Sequence, residues 1–393
     1  KPPYHLAPWV AMAAMAVAAL WRGRRNGDRA ANPPRQLTPA ELDAAEPGRG
    51  RCAQWPTSIP PLGWKDIFWR TYREMGRDRL PALAGGVTFY ILLATFPAIA
   101  AFVSLYGIYN SDVTTVERQL GHLSNILPRD AVALLSNQMV RLASHRHATL
   151  GAAFVVSTLL SIWSANAGMK ALFDSLNITF DETEKRDYLR RSIVTYIATF
   201  GALVFLALVV GTLVGAPAFF HDIGLRKFGR WWGPVRWMAV FVFAACAFSM
   251  LYRFGPSRRH ARWRWVAFGG VVAALAWLGG ALVFSWYVNN IANFGMTYGS
   301  IGAVIAYMLW VWVSVTVVLV GAELNAEVEH QTAIDTTVGG RKPIGQRGAV
   351  MADTVGKAFT TSPREAADWF TAFCSRQVGY VLGFLRRIAR FAA

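Results

Sequence analysis

Six long apolar segments constrain the fold of this chain more than any other feature of its sequence. Five of them hold roughly 20 or more mainly apolar residues, the length that an α-helix needs to cross the hydrocarbon core of a bilayer. The fourth is shorter, and Trp231 to Trp237 can extend it through the interface. Buried strands of such length would be rare, so the segments predict helices. They are Leu83–Tyr106, Leu150–Met169, Ile193–Ala216, Trp237–Leu251, Trp265–Tyr287 and Ile301–Gly321. The sequence therefore predicts an all-α, polytopic integral membrane protein with six core transmembrane helices.

Proline and glycine predict local features of these helices. Pro97 lies inside the first span and removes one backbone donor, so we expect a kink there. The fifth span contains Gly269, Gly270, Gly279 and Gly280 among alanines. Small residues let helices approach closely in lipid, so these glycines predict helix packing.

The positive charge of the chain is distributed unevenly among the connections. The chain has a net charge of +17, and most of its 40 lysines and arginines lie on one set of alternating connections. Cytoplasmic connections of membrane proteins carry such an excess, so both flanks of the six-helix core are predicted to be cytoplasmic. Because the charge reports topology, it gives no reason to expect nucleic acid as a partner.

Two regions flank the core and divide the chain into three parts. Leu6–Trp21 is apolar but short, so it is either a seventh membrane helix or a signal-like or interfacial segment. The basic, proline- and glycine-rich stretch that follows, to about Pro61, has the composition of a disordered linker. We expect an N-terminal region (1–61), a membrane domain (62–331) and a cytoplasmic tail (332–393).

Amphipathic patterns also occur outside the spans. The connection after the first span predicts two short helices over the outer face, either as a lid or as a packed cap. In the tail, Ser362, Pro363 and Glu365 have the spacing of a helix start. The helix that follows is basic and amphipathic, which suggests adsorption on anionic lipids or docking against another subunit.

Polar residues gather where the second, fourth and sixth spans reach the predicted cytoplasmic side. Ionisable groups are costly inside a membrane and are candidates for function. We expect Glu323 to pair with Lys170 or Arg253, and Glu327 and Glu329 to lie in water. Alternatively, Lys170 snorkels to the interface and Asp174 is already in water. The full candidate set for a polar gate or path is Asn166, Lys170, Asp174, Arg253, Glu323 and Asn325.

The residues offer no pattern for catalysis or for a cofactor. Of the seven histidines, only His145 and His147 are near neighbours, and no aspartate follows them closely. The three cysteines are scattered, and the spans hold no paired nucleophile and base. We therefore expect no catalytic centre, no metal and no cofactor. An ATP-binding P-loop is also missing from the sequence.

Three separated strings in the core have the pattern of a known family. They are IWSANAGMKALFDSLNITFDETEKRDYLRRSIV, LYRFGPSRRHARWRWVAFGG and TYGSIGAVIAYMLWVWVSVTVVLVGAELNAE. Together they resemble the YihY/BrkB family of bacterial inner-membrane proteins, from about Trp64 to Gln331. The resemblance implies a six-helix membrane protein associated with envelope integrity, and in some members with virulence.

Two functions are compatible with this resemblance. One is transport of lipid or another amphiphile through an interhelical path, with membrane lipids as partners and homo-oligomers as a further option. The other is a non-transporting structural or scaffolding role. The family has also carried the label ribonuclease BN, but the clustered His and Asp ligands of a metal-dependent nuclease are missing here. We reject the nuclease interpretation.

Overall fold

The computed structural model describes residues 38–109, 147–215, 226–290 and 301–359. These residues form helices and connecting segments, with one isolated β-bridge between Ala261 and Thr337. The helices are α1 (Pro39–Ala45), α2 (Pro61–Arg77), α3 (Leu80–Tyr109), α4 (His147–Thr179), α5 (Tyr188–Val210), α6 (Arg226–Phe254), α7 (Trp263–Asn290), α8 (Gly302–Gln331) and α9 (Val350–Asp353). A 3₁₀ turn covers Pro56–Ser58, and a π-helical turn, Gly211–Gly215, extends α5.

Within this described part, six helices are long and apolar enough to cross a membrane. They are α3 to α8, so the prediction of an all-α protein with six core transmembrane helices is confirmed. Large apolar side chains on their outer faces are exposed, as expected of helices that face lipid. Leu6–Trp21, the loop helices after α3 and the helix beginning near Ser362 lie outside the described residues.

Several helices extend further than their apolar segments, among them α6 and α8. Helix α6 begins at Arg226 and contains Pro234, well before the predicted start at Trp237. Helix α8 continues past the predicted end at Gly321 to Gln331, because its last turns pack against protein instead of entering water. Pro97 lies inside α3, which continues to Tyr109, and the kink there stays a prediction.

Helix α8 lies at the centre of the packing. It contacts α3 on one side and α7 on another, while α4 packs along α3 and α6 along α7. Helix α5 lies between α4 and α6 and completes the ring of spans. Gly168 lets α4 approach α3, since a Cβ atom there would lie 3.3 Å from the Cβ of Tyr90. The main apolar core lies where α4, α6, α7 and α8 meet, around Tyr252 and Leu319.

The linker before α2 is folded in its described portion, 38–61, where its composition predicted disorder. Thr38 caps α1 and forms a reciprocal capping box with Glu41. Arg51, Ala53 and Ile59 are buried further along. The composition of the linker does not indicate this fold, because the residues that bind the linker lie within 331–356, far away in the sequence. The division of the chain at 61 and 331 stays a prediction.

Candidate functional site

The last turns of α8 are enclosed by protein. Every residue from Gly321 to Glu329 is buried, and α2, α7 and the segment after α8 cover this end of the helix. The expectation that Glu327 and Glu329 lie in water was wrong. Their exposed fractions are 2% and 0%, so both carboxylates need partners inside the protein.

Glu327 is paired with Arg70 of α2. The Arg70 Nε donates to the Glu327 carboxylate, and Nη2 donates to the Gln331 side-chain oxygen at 2.7 Å. Nη1 donates to the main-chain oxygen of Lys357 at 3.0 Å. Arg70 is itself buried, and its planar guanidinium donates to acceptors on three residues, Glu327, Gln331 and Lys357, at once. The pair joins α2, α8 and the tail.

Glu329 is paired with Arg258 of the α6–α7 turn. The Arg258 Nη1 lies 2.7 Å from the Glu329 Oε2, and both side chains are fully buried. Thr336 donates its hydroxyl to the other carboxylate oxygen at 2.6 Å. The guanidinium also lies 4.2 Å from the centre of the Phe180 ring. This second pair fixes the α6–α7 turn to the end of α8.

Glu323 differs from both of these carboxylates. It is only 1% exposed, yet it forms no ion pair among the described residues, and its Oε2 has no hydrogen-bond partner. The charges that act most strongly on it are those of other carboxylates, on Glu327, Asp78, Glu74 and Asp181. Glu323 is therefore a buried acid with acidic neighbours, one turn before a paired glutamate.

The expected partners of Glu323 bind elsewhere, so the predicted ion pair was wrong. Lys170 places its ammonium 5.3 Å from the centre of the Tyr188 ring. Arg253 donates to the main-chain oxygen of Ala261 and lies over the Trp263 ring at 4.4 Å. Each cation is held by a neighbour close in sequence or on the adjacent helix, which removes it from the interior.

The remaining candidate residues, Asp174, Asn325 and Asn166, lie in different environments. Asp174 is 53% exposed and accepts from Arg191 at 2.6 and 2.7 Å, which agrees with the alternative that it lies in water. Asn325 is buried against Gly269 of α7, and both its amide atoms lack partners. Since Asn325 follows Glu323 by two positions, the two side chains leave α8 on different faces. Asn166 is buried in α4 with an unpartnered Oδ1.

Three carboxylates outside the spans form what we call the acidic vestibule: Glu74, Asp78 and Asp181. Glu74 pairs with Arg77 at 3.1 Å on the outer side of α2. Burial raises the pKa of Asp78 to about 6, and the nearby charges of Asp181 and Glu74 add to this effect. Asp78 therefore exchanges its proton close to neutral pH.

Linker and tail meet below the end of α8 in a cap, formed by residues 46–66 and 331–359. The buried Arg51 donates to the main-chain oxygens of Gln331 at 3.0 Å and Gly356 at 2.7 Å. Arg49 binds both oxygens of Asp66, at 2.6 and 2.8 Å, and the Phe359 main-chain N–H donates to the same carboxylate. The cap thus ties the two flanks of the membrane domain together.

The residues that sequence reasoning missed are Arg70, Arg258 and their glutamates. Glu323 and Glu327 are four residues apart and share a helical face, which was the available signal for burial of both. The apolar segment ends at Gly321, however, which placed Glu327 and Glu329 in water. Among the described residues, no group of three or more His, Cys, Asp or Glu side chains is placed to hold a metal ion.

Comparisons with known proteins cover the same region. A family model described as "Virulence factor BrkB" matches residues 71–343. The putative ribonuclease-like protein YfkH of Bacillus subtilis is 29% identical over 271 residues, which span 67% of this chain and 93% of that protein. No solved structure matches the chain.

Two further relatives carry membrane-protein names. The UPF0761 membrane protein RSc1559 of Ralstonia nicotianae is 26% identical over 280 residues, covering 70% of this chain and 60% of that protein. The UPF0761 membrane protein IL2447 of Idiomarina loihiensis is 23% identical over 291 residues, covering 68% of this chain and 95% of that protein. The family match includes all six spans and the Arg258–Glu329 pair, so this chain is a membrane protein of the virulence factor BrkB family.

Proposed function

We propose that the protein moves a lipid or another amphiphile along a path between its helices. The observation that carries this proposal is the set of buried polar atoms without partners on the spans, above all the Glu323 carboxylate. Unpartnered polar groups at membrane depth are costly, so a sequence that keeps them has a use for them. A passing polar headgroup or proton would supply the missing partner.

The site of action belongs to this proposal as well. We place the protein in the bacterial inner membrane with both flanks of the core cytoplasmic, because the basic connections fall on one side. Membrane lipids are then its partners, with homo-oligomers as a further option. The sequence carries no P-loop, so movement would be passive or driven by a gradient. We propose no covalent chemistry and no nucleic-acid partner.

A structural role is the second candidate. The arginine–glutamate pairs at Arg70 and Arg258, together with the cap, pin four parts of the chain to the end of α8. A protein that only holds other envelope components would need a rigid structure of this kind and no path for lipid between its helices. In that case Glu323 would be a packing defect without a function.

Reconstitution in liposomes separates the two candidates. A fluorescent phospholipid is placed in both leaflets, and a membrane-impermeant quencher reports how fast the inner-leaflet population becomes accessible. We expect native protein to accelerate this exchange at least tenfold over protein-free vesicles, and Glu323→Gln to remove most of the acceleration. Exposed Asp187, which makes no side-chain bond at the start of α5, provides the control Asp187→Asn. Absence of exchange with native protein would favour the scaffold.

A further inference from the structure

The three glutamates at the end of α8 provide an internal comparison. Glu327 and Glu329 each have a buried arginine, while Glu323 at equal depth has none. Removing a carboxylate from water without a partner costs far more than an ordinary buried polar group, unless it takes up a proton or a cation. Glu323 must therefore meet that cost in a different way from its neighbours.

The cations near Glu323 are engaged elsewhere. On α2, Arg70 binds Glu327 and Arg77 binds Glu74. At the start of α7, Arg264 lies over the Trp55 ring at 4.8 Å. Lys170 of α4 and Arg253 of α6 have the contacts described above.

The two helices that flank α8 add no further charge. Helix α3 contains no charged residue, and α7 contains none after Arg264. Arg79, in the turn before α3, is exposed and is not among the ion pairs of the described chain. Apart from Glu327, the strongest charges on Glu323 thus come from the acidic vestibule.

The acidic vestibule is graded in its access to water. Asp181 is exposed, Asp78 is half-buried and Glu323 is fully buried. Burial raises the pKa of Asp78, and the charges of Asp181 and Glu74 add to this effect, so the three carboxylates form one acidic region outside the spans.

We propose that Glu323 is a reversible proton-binding site, buried near the end of α8. In the loaded state the proton is on the Glu323 carboxyl. On release it passes to water, and Glu323 gains one negative charge. A metal ion fits less well, because no three acidic, His or Cys groups converge in the described part of the chain. Use of this proton to drive amphiphile movement rests on the proposed function, whereas proton binding does not.

Infrared difference spectroscopy on purified protein in detergent tests the proposal without any cargo. The C=O stretch of a protonated carboxyl is distinct from the bands of carboxylates. We expect native protein at neutral pH to show such a band in a dry environment, and Glu323→Gln to lose it. Asp187→Asn is the control and should retain the band, since its carboxyl is exposed to water and not in a dry environment. Size-exclusion profiles check that each variant is folded.

The outcomes separate the proton site from the transport proposal. If the band survives in Glu323→Gln, or if native protein shows none, the proton site is overturned. Loss of the native band on adding sodium or calcium salts at constant pH would also overturn it, in favour of a cation. If the band behaves as expected but native protein moves no lipid in liposomes, the proton site stands and the transport function fails.

Discussion

At the scale of single residues, three chemically identical glutamates on one helix differ in how the cost of their burial is offset. Arg70 compensates the charge of Glu327, and Arg258 compensates that of Glu329. If either acid were neutralised, its arginine would stay buried without a counter-charge. Glu323 has no arginine partner among the described residues, so neutralising it would leave no buried cation unpaired. Substitutions of equal size along one helix therefore separate compensated from uncompensated burial.

The first prediction compares Glu327→Gln with Glu323→Gln. We expect Glu327→Gln to destabilise the fold by about 3 to 5 kcal/mol, because it leaves the Arg70 guanidinium buried without its counter-charge. Glu323→Gln should be neutral or stabilising by up to about 1 kcal/mol, because it removes an uncompensated acid. Thermal unfolding in detergent measures both. Equal destabilisation by the two variants would contradict the difference in pairing.

The second prediction concerns Asp78 and pH. Its pKa rises from 3.8 to about 6 on folding, so the folded protein binds the proton more tightly than the unfolded chain. The stability from this group is fully present below pH 3.8 and is lost as the pH rises through 6. Above that pH, Asp78→Asn should exceed native stability by on the order of 1 kcal/mol, allowing for solvent screening of a half-buried group.

The measurement for Asp78 is the difference in melting temperature between variant and native protein across pH. This difference isolates one group, because every other titratable group is common to both proteins. Among these shared groups, Asp335 has a pKa shift of the opposite sense. Burial disfavours the Asp335 carboxylate, but the main-chain N–H groups of Lys342 and Thr337 bind it and lower its pKa overall. A difference that stays constant with pH would show that Asp78 has an ordinary pKa.

At the scale of elements, α7 shows how the same residue type serves different purposes along one helix. A Cβ atom at Gly269 would lie 2.5 Å from the Asn325 Cβ, whereas one at Gly279 would have nothing within 4 Å. Gly269 allows α7 to approach α8 closely, and Gly270 allows it to approach Ser249 of α6. The expectation of glycine-mediated packing is therefore confirmed at these two positions, whereas Gly279 and Gly280 have no close neighbour among the described residues.

The third prediction contrasts Gly269→Ala with Gly279→Ala. We expect Gly269→Ala to cost about 1 to 3 kcal/mol, because the new methyl group forces α7 away from α8. Gly279→Ala should be neutral or slightly stabilising, since alanine favours the helix by up to about 1 kcal/mol. Thermal unfolding of both variants in one detergent provides the comparison. A substantial loss of stability in Gly279→Ala would reveal a neighbour at that position, such as a second subunit.

At the scale of the whole molecule, the linker and the tail form a cap on one end of the bundle. Arg51 joins these segments, since it is fully buried and binds Glu46, Gln331 and Gly356. The membrane domain is thereby closed by segments that lie roughly 280 to 305 positions apart along the chain.

The fourth prediction is that Arg51→Ala loosens the cap and leaves the six spans intact. Two main-chain oxygens would lose a charged donor, and we expect protease cleavage within residues 332–359 to accelerate at least tenfold. Arg73→Ala, which removes a largely exposed arginine of α2, should leave the cleavage rate unchanged. Limited proteolysis followed by mass spectrometry gives the rates. Equal protection in both variants would show that the cap does not depend on Arg51.

The sequence predicted the six spans because length and apolar composition alone decide whether a helix crosses a bilayer. It failed where pairing is decided by distant residues. Nothing near Glu327 or Glu329 indicates that Arg70 and Arg258 will enclose them, and nothing in the linker indicates that Arg51 will bind Gly356. The sequence singled out Glu323 as a candidate, but its burial and its missing partner are visible only in three dimensions.

The cap also sets an order of events during biosynthesis. Arg51 and Arg70 leave the ribosome long before residues 327–357, so their charges must stay hydrated until the last span has entered the membrane. The flanks can therefore close only on a chain whose six spans are all inserted. Until that moment the linker and α2 lack their partners and are open to quality-control proteases, and closure of the cap marks a completed molecule.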